Sequence, residues 1–238
     1  MDVGAWYFWL MLRAGSCAAS SHSTLALAAP LWNNPGMGLS AQPDFGDRFA
    51  SAIRRFDAAN ARDPNTELVD GGPQPRELVY ARRLTDWVLK LCPEASEALR
   101  LAARCQHLCR WEIPRASYPM DRPGYLRWRA ELKKFHAQKS GDILREVGYD
   151  DDLIRRVQDL NLKKNFPADP ECRVLEDALC LVFLEHQFAD LAAKSDDEKM
   201  INALRKSWHK MTPAAHAEAL KLKFGPREQA LVQRALAG

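Results

Sequence analysis

Apolar side chains recur at helical spacing along most of the chain that follows Phe45. In the segment DRFASAIRRFDAAN, Phe49, Ile53 and Phe56 are four and three positions apart and therefore share one face of a helix. Similar spacing predicts helices in the segments beginning PRELVYARRL, PEASEALRL, RPGYLRWRA, DDLIRRV and PECRVLEDALC, and around residues 200–208, 213–222 and 226–236. Because no alternating strand pattern accompanies them, we expect an all-α fold, a single-domain helical bundle over residues 45–238.

Proline and glycine mark the predicted ends of these helices. The stretches DPNTELVDGGPQP and SYPMDRPG predict loops. Asp121 and Pro123 are typical of a helix start, and Gly148 is typical of a left-handed residue that ends a helix. The preceding helix is expected to run through Cys109 and to stop at Pro114.

The first 44 residues differ in composition from the rest. The apolar run VGAWYFWLML is too short to span a bilayer. Asp2 precedes it and Arg13 follows it, so it lacks the basic start of a secretory signal, although the later segment LALAAP offers small residues for cleavage. We expect residues 1–44 to be a disordered extension outside the core, and deletion of residues 1–36 to leave the fold intact. Secretion is the alternative.

The composition of the chain limits the cellular compartment and the kinds of partner that we expect. The six cysteines lack the spacing of a disulfide framework, which favours a reducing, cytoplasmic compartment. The formal net charge of +3 is too small to identify a general nucleic-acid-binding protein. We expect no membrane partner, and the sequence leaves the oligomeric state open.

Basic residues concentrate in one segment. Between Ala103 and Arg145 there are ten basic and four acidic residues, a net charge of +6. Arg129, Lys133 and His136 lie at helical positions i, i+4 and i+7 and so form one stripe. Aromatic residues interleave with the arginines, which suits stacking and forked hydrogen bonds to phosphate. The segment predicts an anion-binding surface, with a solvated basic face as the alternative.

The stretch ARCQHLCRWEIPR raises the question of a metal site. Cys105 and Cys109 are four positions apart and share a helix face, whereas His107 points to the opposite side. One helix therefore does not offer all three to one ion, and we expect no metal there. We expect two core cysteines on one side, and His107, Arg110 and Trp111 on the other side as one wall of a pocket.

Glu185 is the third candidate feature. It follows the helical spacing of Val174, Ala178 and Leu181, which predicts that its carboxylate lies on the apolar side of a buried helix. A carboxylate removed from water must be paired, coordinated or protonated, so both a catalytic role and a structural ion pair with a residue such as Arg82 are open.

Several long stretches resemble one family. The segments RRFDAANARDPN, ELVYARRLTDWV, CRWEIPR, YPMDRPGYLRWR and LEDALCLVFLE are similar to those of the Domain of Unknown Function 4202 family, over about residues 49–236. That family name implies no activity.

The order of the helices is also similar, more loosely, to the HD-domain phosphohydrolases. In that superfamily a histidine, a His-Asp pair and a later Asp bind a divalent metal that activates water against phosphate esters. The resemblance places the pair on Gln106-His107, the last Asp near Glu185, and His136 where a histidine lines the phosphate pocket. The first histidine belongs near Tyr80 or Arg82, but no histidine occurs between His22 and His107.

These features together predict an HD-like pocket for a phosphorylated small molecule or nucleotide, with a phosphohydrolase activity as one form of it. His107 and Glu185 are the predicted catalytic residues. No cofactor is expected, and a divalent metal is the alternative because the ligand set is incomplete. A non-catalytic module that binds RNA or a protein partner is the second hypothesis. The predicted ligand-binding residues are Arg82, Arg110, Trp111, Arg115, Arg129, Lys133 and His136.

Overall fold

The computed structural model describes residues 45–237 of the chain. The expectations for residues 1–44 lie outside these residues. The helices in the described part are α1 (Gly46–Asn60), α2 (Arg76–Leu91), α3 (Glu97–Cys105), α4 (Arg122–Val147), α5 (Asp151–Leu162), α6 (Pro170–His186), α7 (Phe188–Ala193), α8 (Asp197–Lys210), α9 (Pro213–Ala219) and α10 (Pro226–Leu236). The prediction of an all-α fold is confirmed.

A short β-hairpin interrupts the helices where the sequence predicts a loop. Strands β1 (Thr66–Val69) and β2 (Gly72–Pro75) pair in antiparallel fashion, with Val69 opposite Gly72. The two turn residues, Asp70 and Gly71, both have positive φ values, of 51° and 82°. A two-residue hairpin turn of this kind favours Asp-Gly, so the dipeptide is a local signal for the hairpin.

Helix α6 lies at the centre of the bundle. Its residues Leu175, Ala178 and Leu181 are completely buried. Helices α2, α3, α5, α8 and α9 all contact it. The long helix α4 packs on α1 and α5, and so lies at one side of this core.

Helix ends are set by capping residues. Asp121 accepts a hydrogen bond from the Gly124 backbone N–H at 2.7 Å and starts α4, and Gly148, at φ 91°, ends it, as the sequence predicts. Gly124 is required for close packing, since a Cβ there would lie 2.2 Å from the Pro119 carbonyl oxygen.

Helix α3 ends earlier than the sequence predicts. It starts after Ser96, whose side chain accepts from the Leu99 N–H, and stops at Cys105 rather than near Pro114. Cys109 has a left-handed backbone, with φ of 52°, and this conformation separates α3 from a 3-10 turn over Arg110–Glu112. Residues Gln106 to Cys109 therefore form a non-helical turn, and together with Arg110 they lie opposite α4.

A second, smaller group of apolar residues joins this turn region to α4. Tyr125, Trp128 and Leu132 of α4 are buried with Ile113 and Tyr118 packed against them. The Trp128 indole N–H donates to the Ile113 carbonyl at 2.9 Å. None of the helices within residues 45–237 is both long and apolar enough to cross a bilayer.

Candidate functional site

A cleft lies between α4, the turn after α3, the end of α5, α6 and the end of α8. Its volume is about 90 Å³. A cavity needs roughly 10–15 Å³ of such volume for each water, so this cleft has room for several water-sized groups. We call it the basic pocket because five cationic side chains line it: Arg110, Arg129, Lys133, Lys163 and Lys210.

One buried carboxylate, Glu176, neutralises part of this charge. Its Oε2 forms an ion pair with Lys163, and Lys210 Nζ lies 3.6 Å from its Oε1. Burial opposes the ionisation of Glu176, but the two lysines outweigh it and hold the pKa of this carboxyl below its ordinary value. Glu176 is therefore an anion that two of the five cations share.

Arg129 and Lys133 have no such partner. Within residues 45–237, neither side chain forms an ion pair with a carboxylate; Arg129 donates only to the Tyr125 hydroxyl, at 3.3 Å. Burial, and then the charges of Arg129 and Lys163, lower the pKa of Lys133. Two neighbouring cations on one wall, partly removed from water and unpaired, are the arrangement that binds an anion.

Two histidines complete this wall. His107 stacks on Tyr80 with a ring separation of 4.2 Å, and the rings of His107 and His136 lie 5.9 Å apart. Burial, followed by Arg110 and Arg129, lowers the pKa of His107 well below its ordinary value. Burial, followed by His107, lowers that of His136 to about 3. Both rings are therefore neutral at pH 7.

Glu77 lies behind His107, at the start of α2. Its Oε2 is 3.5 Å from His107 Nδ1, and its Oε1 is 3.7 Å from the Arg110 guanidinium. Burial raises the pKa of Glu77, and Arg110 and His136 act against this. Glu77 thus links a pocket histidine to a pocket arginine without lining the pocket itself.

Aromatic rings form another part of the wall. Tyr125 and Trp128 line the basic pocket, and the Arg110 guanidinium lies 5.3 Å from the centre of the Trp128 ring. A cation over an aromatic face is held in place by the ring quadrupole. Arg110 is therefore positioned by Trp128 and Glu77 together.

Five of the predicted site residues meet in the basic pocket: His107, Arg110, Arg129, Lys133 and His136. Arg82 does not, since it is exposed on α2. Trp111 does not line the pocket either and instead packs against the main core. The residues predicted on the long helix and in the turn region thus line one pocket. Their roles in binding or catalysis stay predictions.

Arg115 does not line the basic pocket, where the sequence places it, and its role in ligand binding stays a prediction. Its side chain is buried and donates to the backbone carbonyls of Tyr118, at 2.8 Å, and Asp121, at 3.2 Å. These bonds hold the loop that leads into α4. Pro114 does turn the chain, but it directs the guanidinium into this loop and not into the basic pocket.

Glu185 is also misplaced by the sequence pattern. Its side chain is 38% exposed, accepts from the Trp87 indole N–H at 2.8 Å and lies 3.1 Å from His186 Nε2. Helix α6 is apolar on most of its circumference, so its spacing alone does not identify the side that faces the core. The buried carboxylates on α6 are Glu176 and Asp177.

The sequence pattern does not indicate four further residues in or beside the pocket: Glu77, Lys163, Lys210 and Glu176. Glu77 lies in the first turn of a helix, where acidic residues are common because the helix dipole stabilises them, so its residue type does not indicate a functional site. Lys163 follows α5 with a left-handed backbone, φ 57°, which spacing does not reveal. Lys210 is more than 70 positions from Lys133 along the chain and reaches the pocket only through the tertiary fold.

The residues present do not fit the divalent metal that the resemblance to HD-domain enzymes implies. Within the part of the chain that the structure describes, no three His, Cys, Asp or Glu side chains are placed to share an ion. The nearest donors, Glu77 and His107, lie beside Arg110, whose charge repels a cation. Cys105 and Cys109 are both buried, as predicted for core cysteines.

The chain belongs to the family described as "Domain of unknown function (DUF4202)", whose model matches residues 50–232. Comparison with curated proteins and with solved structures found no match.

Proposed function

We propose that the basic pocket binds the phosphate group of a small organic molecule, either a phosphorylated small molecule or a nucleotide. The observation that carries this proposal is the pair Arg129 and Lys133, which line the pocket side by side without a carboxylate partner. A phosphate dianion would relieve their mutual repulsion and accept charge-assisted hydrogen bonds from both.

The shape of the site supports a small ligand over RNA. His136, the third member of the basic stripe, is buried, and the charged groups of Arg129 and Lys133 converge with Lys210 on a concave surface. An RNA backbone needs a series of exposed cations along a groove or a convex face. RNA binding is therefore the second candidate.

A hydrolytic role fits the same residues. His107 lines the pocket as a neutral imidazole, so it has a lone pair that can accept a proton from an attacking water, although burial, which lowers its pKa, makes it a weak base. Arg110, Arg129 and Lys133 would stabilise the charge that develops on the phosphoryl oxygens. We propose phosphate-ester hydrolysis as the reaction of the site.

Calorimetric titration of the full chain tests the binding proposal. Ribose 5-phosphate, AMP and inorganic phosphate are compared with an RNA oligonucleotide of mixed sequence, each with and without added divalent metal. We expect saturable binding of at least one organic phosphate, weakened by salt because the contacts are ionic. RNA binding with no response to any phosphate compound at about 10 mM, the range of very weak affinity, contradicts the proposal.

A further inference from the structure

If the basic pocket binds a phosphate group, as proposed, its two histidines determine which hydrogen-bonding groups the organic part of the ligand must carry. His136 is only 6% exposed, yet it lines the pocket together with His107, Arg129 and Lys133. A buried polar ring in such a place needs hydrogen-bond partners on both of its nitrogens.

The hydrogen positions on His136 follow from its backbone partner. Its Nδ1 lies 2.9 Å from the Leu108 carbonyl oxygen. A carbonyl only accepts, so Nδ1 carries the hydrogen and the neutral ring has a lone pair on Nε2. Among residues 45–237 no group donates to this Nε2.

At His107 the neighbouring charges, and not a hydrogen bond, favour the same tautomer. Its Nδ1 is buried and faces Glu77 Oε2 at 3.5 Å, while Arg110 beside Oε1 favours the carboxylate form of Glu77. This 3.5 Å contact is not a hydrogen bond, but the attraction between an Nδ1–H and the carboxylate favours the tautomer that has its lone pair on Nε2. The described residues offer this second nitrogen no donor either.

We infer that the basic pocket selects phosphate esters whose organic part carries hydroxyl groups, with the sugar phosphates as the chemical class. The cations Arg129 and Lys133 bind the phosphate, and the Nε2 atoms of His136 and His107 accept hydrogen bonds from ligand hydroxyls. This inference rests on the proposed function. It adds a preference that the cations alone do not produce, because they attract any phosphate ester equally.

The test compares two esters that differ only in hydroxyl groups, ribose 5-phosphate and tetrahydrofurfuryl phosphate. Calorimetry at pH 7.5 should show about tenfold tighter binding of ribose 5-phosphate, the effect of roughly two neutral hydrogen bonds. His136→Phe should lose most of this difference, measured as the ratio of the two affinities and not as either affinity alone. His216→Phe is the matched control, since His216 stacks on Trp208 outside the pocket and should leave both affinities unchanged.

The outcomes separate this inference from the proposed function. Equal affinity of the wild-type protein for the two esters overturns the hydroxyl preference and leaves phosphate binding intact. Binding of neither ester overturns both. Because His136→Phe alters a buried residue, ¹⁵N NMR of the wild-type histidine rings gives a test without substitution. The Nε2 signals of His136 and His107 should be those of unprotonated nitrogen, and an Nε2–H form of His136 contradicts the inference.

Proton uptake on ligand binding distinguishes a neutral histidine that accepts a hydrogen bond from a protonated histidine that binds the phosphate. Titrations in buffers of different ionisation enthalpy should show no net proton uptake when ribose 5-phosphate binds at pH 7.5. An uptake of about one proton per ligand that persists in Lys133→Ala would mean that a histidine binds the phosphate as a cation, and would overturn its role as an acceptor.

Discussion

Glu77 Oε2 lies 3.5 Å from His107 Nδ1, and neither atom forms a hydrogen bond with another described residue. The contact places a buried carboxylate directly behind a histidine that faces the basic pocket. Arg110, at 3.7 Å from the other oxygen, is the nearest cation that offsets the charge. A buried carboxylate with incomplete hydrogen bonding beside a neutral imidazole is costly for folding and is more typical of a functional site than of a stabilising one.

The first prediction concerns the cost of the Glu77 charge. Burial raises the pKa of Glu77 above its ordinary value of 4.5, so the ionised form is less favourable in the folded chain than in the unfolded one. The resulting loss of stability is absent below pH 4.5 and grows as pH rises above it. Glu77→Gln should therefore raise the melting temperature at pH 7–8 and have a smaller effect near pH 4.5. A uniform drop in melting temperature at every pH contradicts this, because it means that the carboxylate stabilises the fold.

The second prediction follows from the neutral state of His136. Burial, His107 and Arg110 lower its pKa from 6.5 to about 3, so the unfolded chain binds this proton more readily than the folded chain. The protein should lose stability from this residue as pH falls below 6.5, by about 1 kcal/mol per pH unit. Urea unfolding from pH 6.5 to 4.5 should show a shallower loss for His136→Gln, whose amide keeps a donor for the Leu108 carbonyl. An identical slope for the two proteins would mean that folding does not lower the pKa of His136, and would contradict its neutral state.

The third prediction separates Arg115 from the pocket arginines. Its guanidinium donates to the carbonyls of Tyr118 and Asp121 within a buried loop. Arg115→Ala should lower the free energy of unfolding by about 1–3 kcal/mol, the cost of leaving buried polar groups unpaired. Arg127→Ala, on an exposed position of α4, is the control and should have little effect. The two variants would have equal stability if Arg115 instead served only a ligand.

The fourth prediction concerns metal content. The described donor groups do not converge on an ion, and Arg110 lies beside the nearest pair. Purified protein should contain well below one zinc or iron atom per chain, and chelation should leave its melting temperature unchanged. Elemental analysis that gives one transition metal per chain, lost on His107→Ala, contradicts this expectation.

The sequence predicted the parts of the fold that depend on local signals. The ends of the long helix at Asp121 and Gly148 were predicted correctly, because capping depends on a few adjacent residues. The stripe of Arg129, Lys133 and His136 is correctly placed on one side of that helix, because helical spacing determines which side chains share a face.

The sequence-based predictions are wrong at positions whose environment is set by tertiary contacts. Helical spacing did not place Glu185 correctly, since α6 is apolar on most of its circumference and one side of its last turn leaves the core. Arg115 has the residue type of a phosphate ligand, but its environment is set by the loop that it binds. Glu77 and Lys210 lie far from α4 in the sequence, and no short-range pattern connects them with it.

The measurement that tests phosphate binding in the basic pocket most directly compares Lys133→Ala with Lys134→Ala. Lys133 lines the pocket, whereas the adjacent Lys134 is exposed and outside it, so the variants remove the same charge one position apart. Titration with ribose 5-phosphate should show binding weakened by about 1–3 kcal/mol for Lys133→Ala and nearly unchanged for Lys134→Ala. The melting temperature of Lys133→Ala should stay level or rise, because its removal relieves repulsion from Arg129 and Lys163. Equal affinities of the two variants, or unfolding of Lys133→Ala, would contradict the assignment of this pocket as the phosphate site.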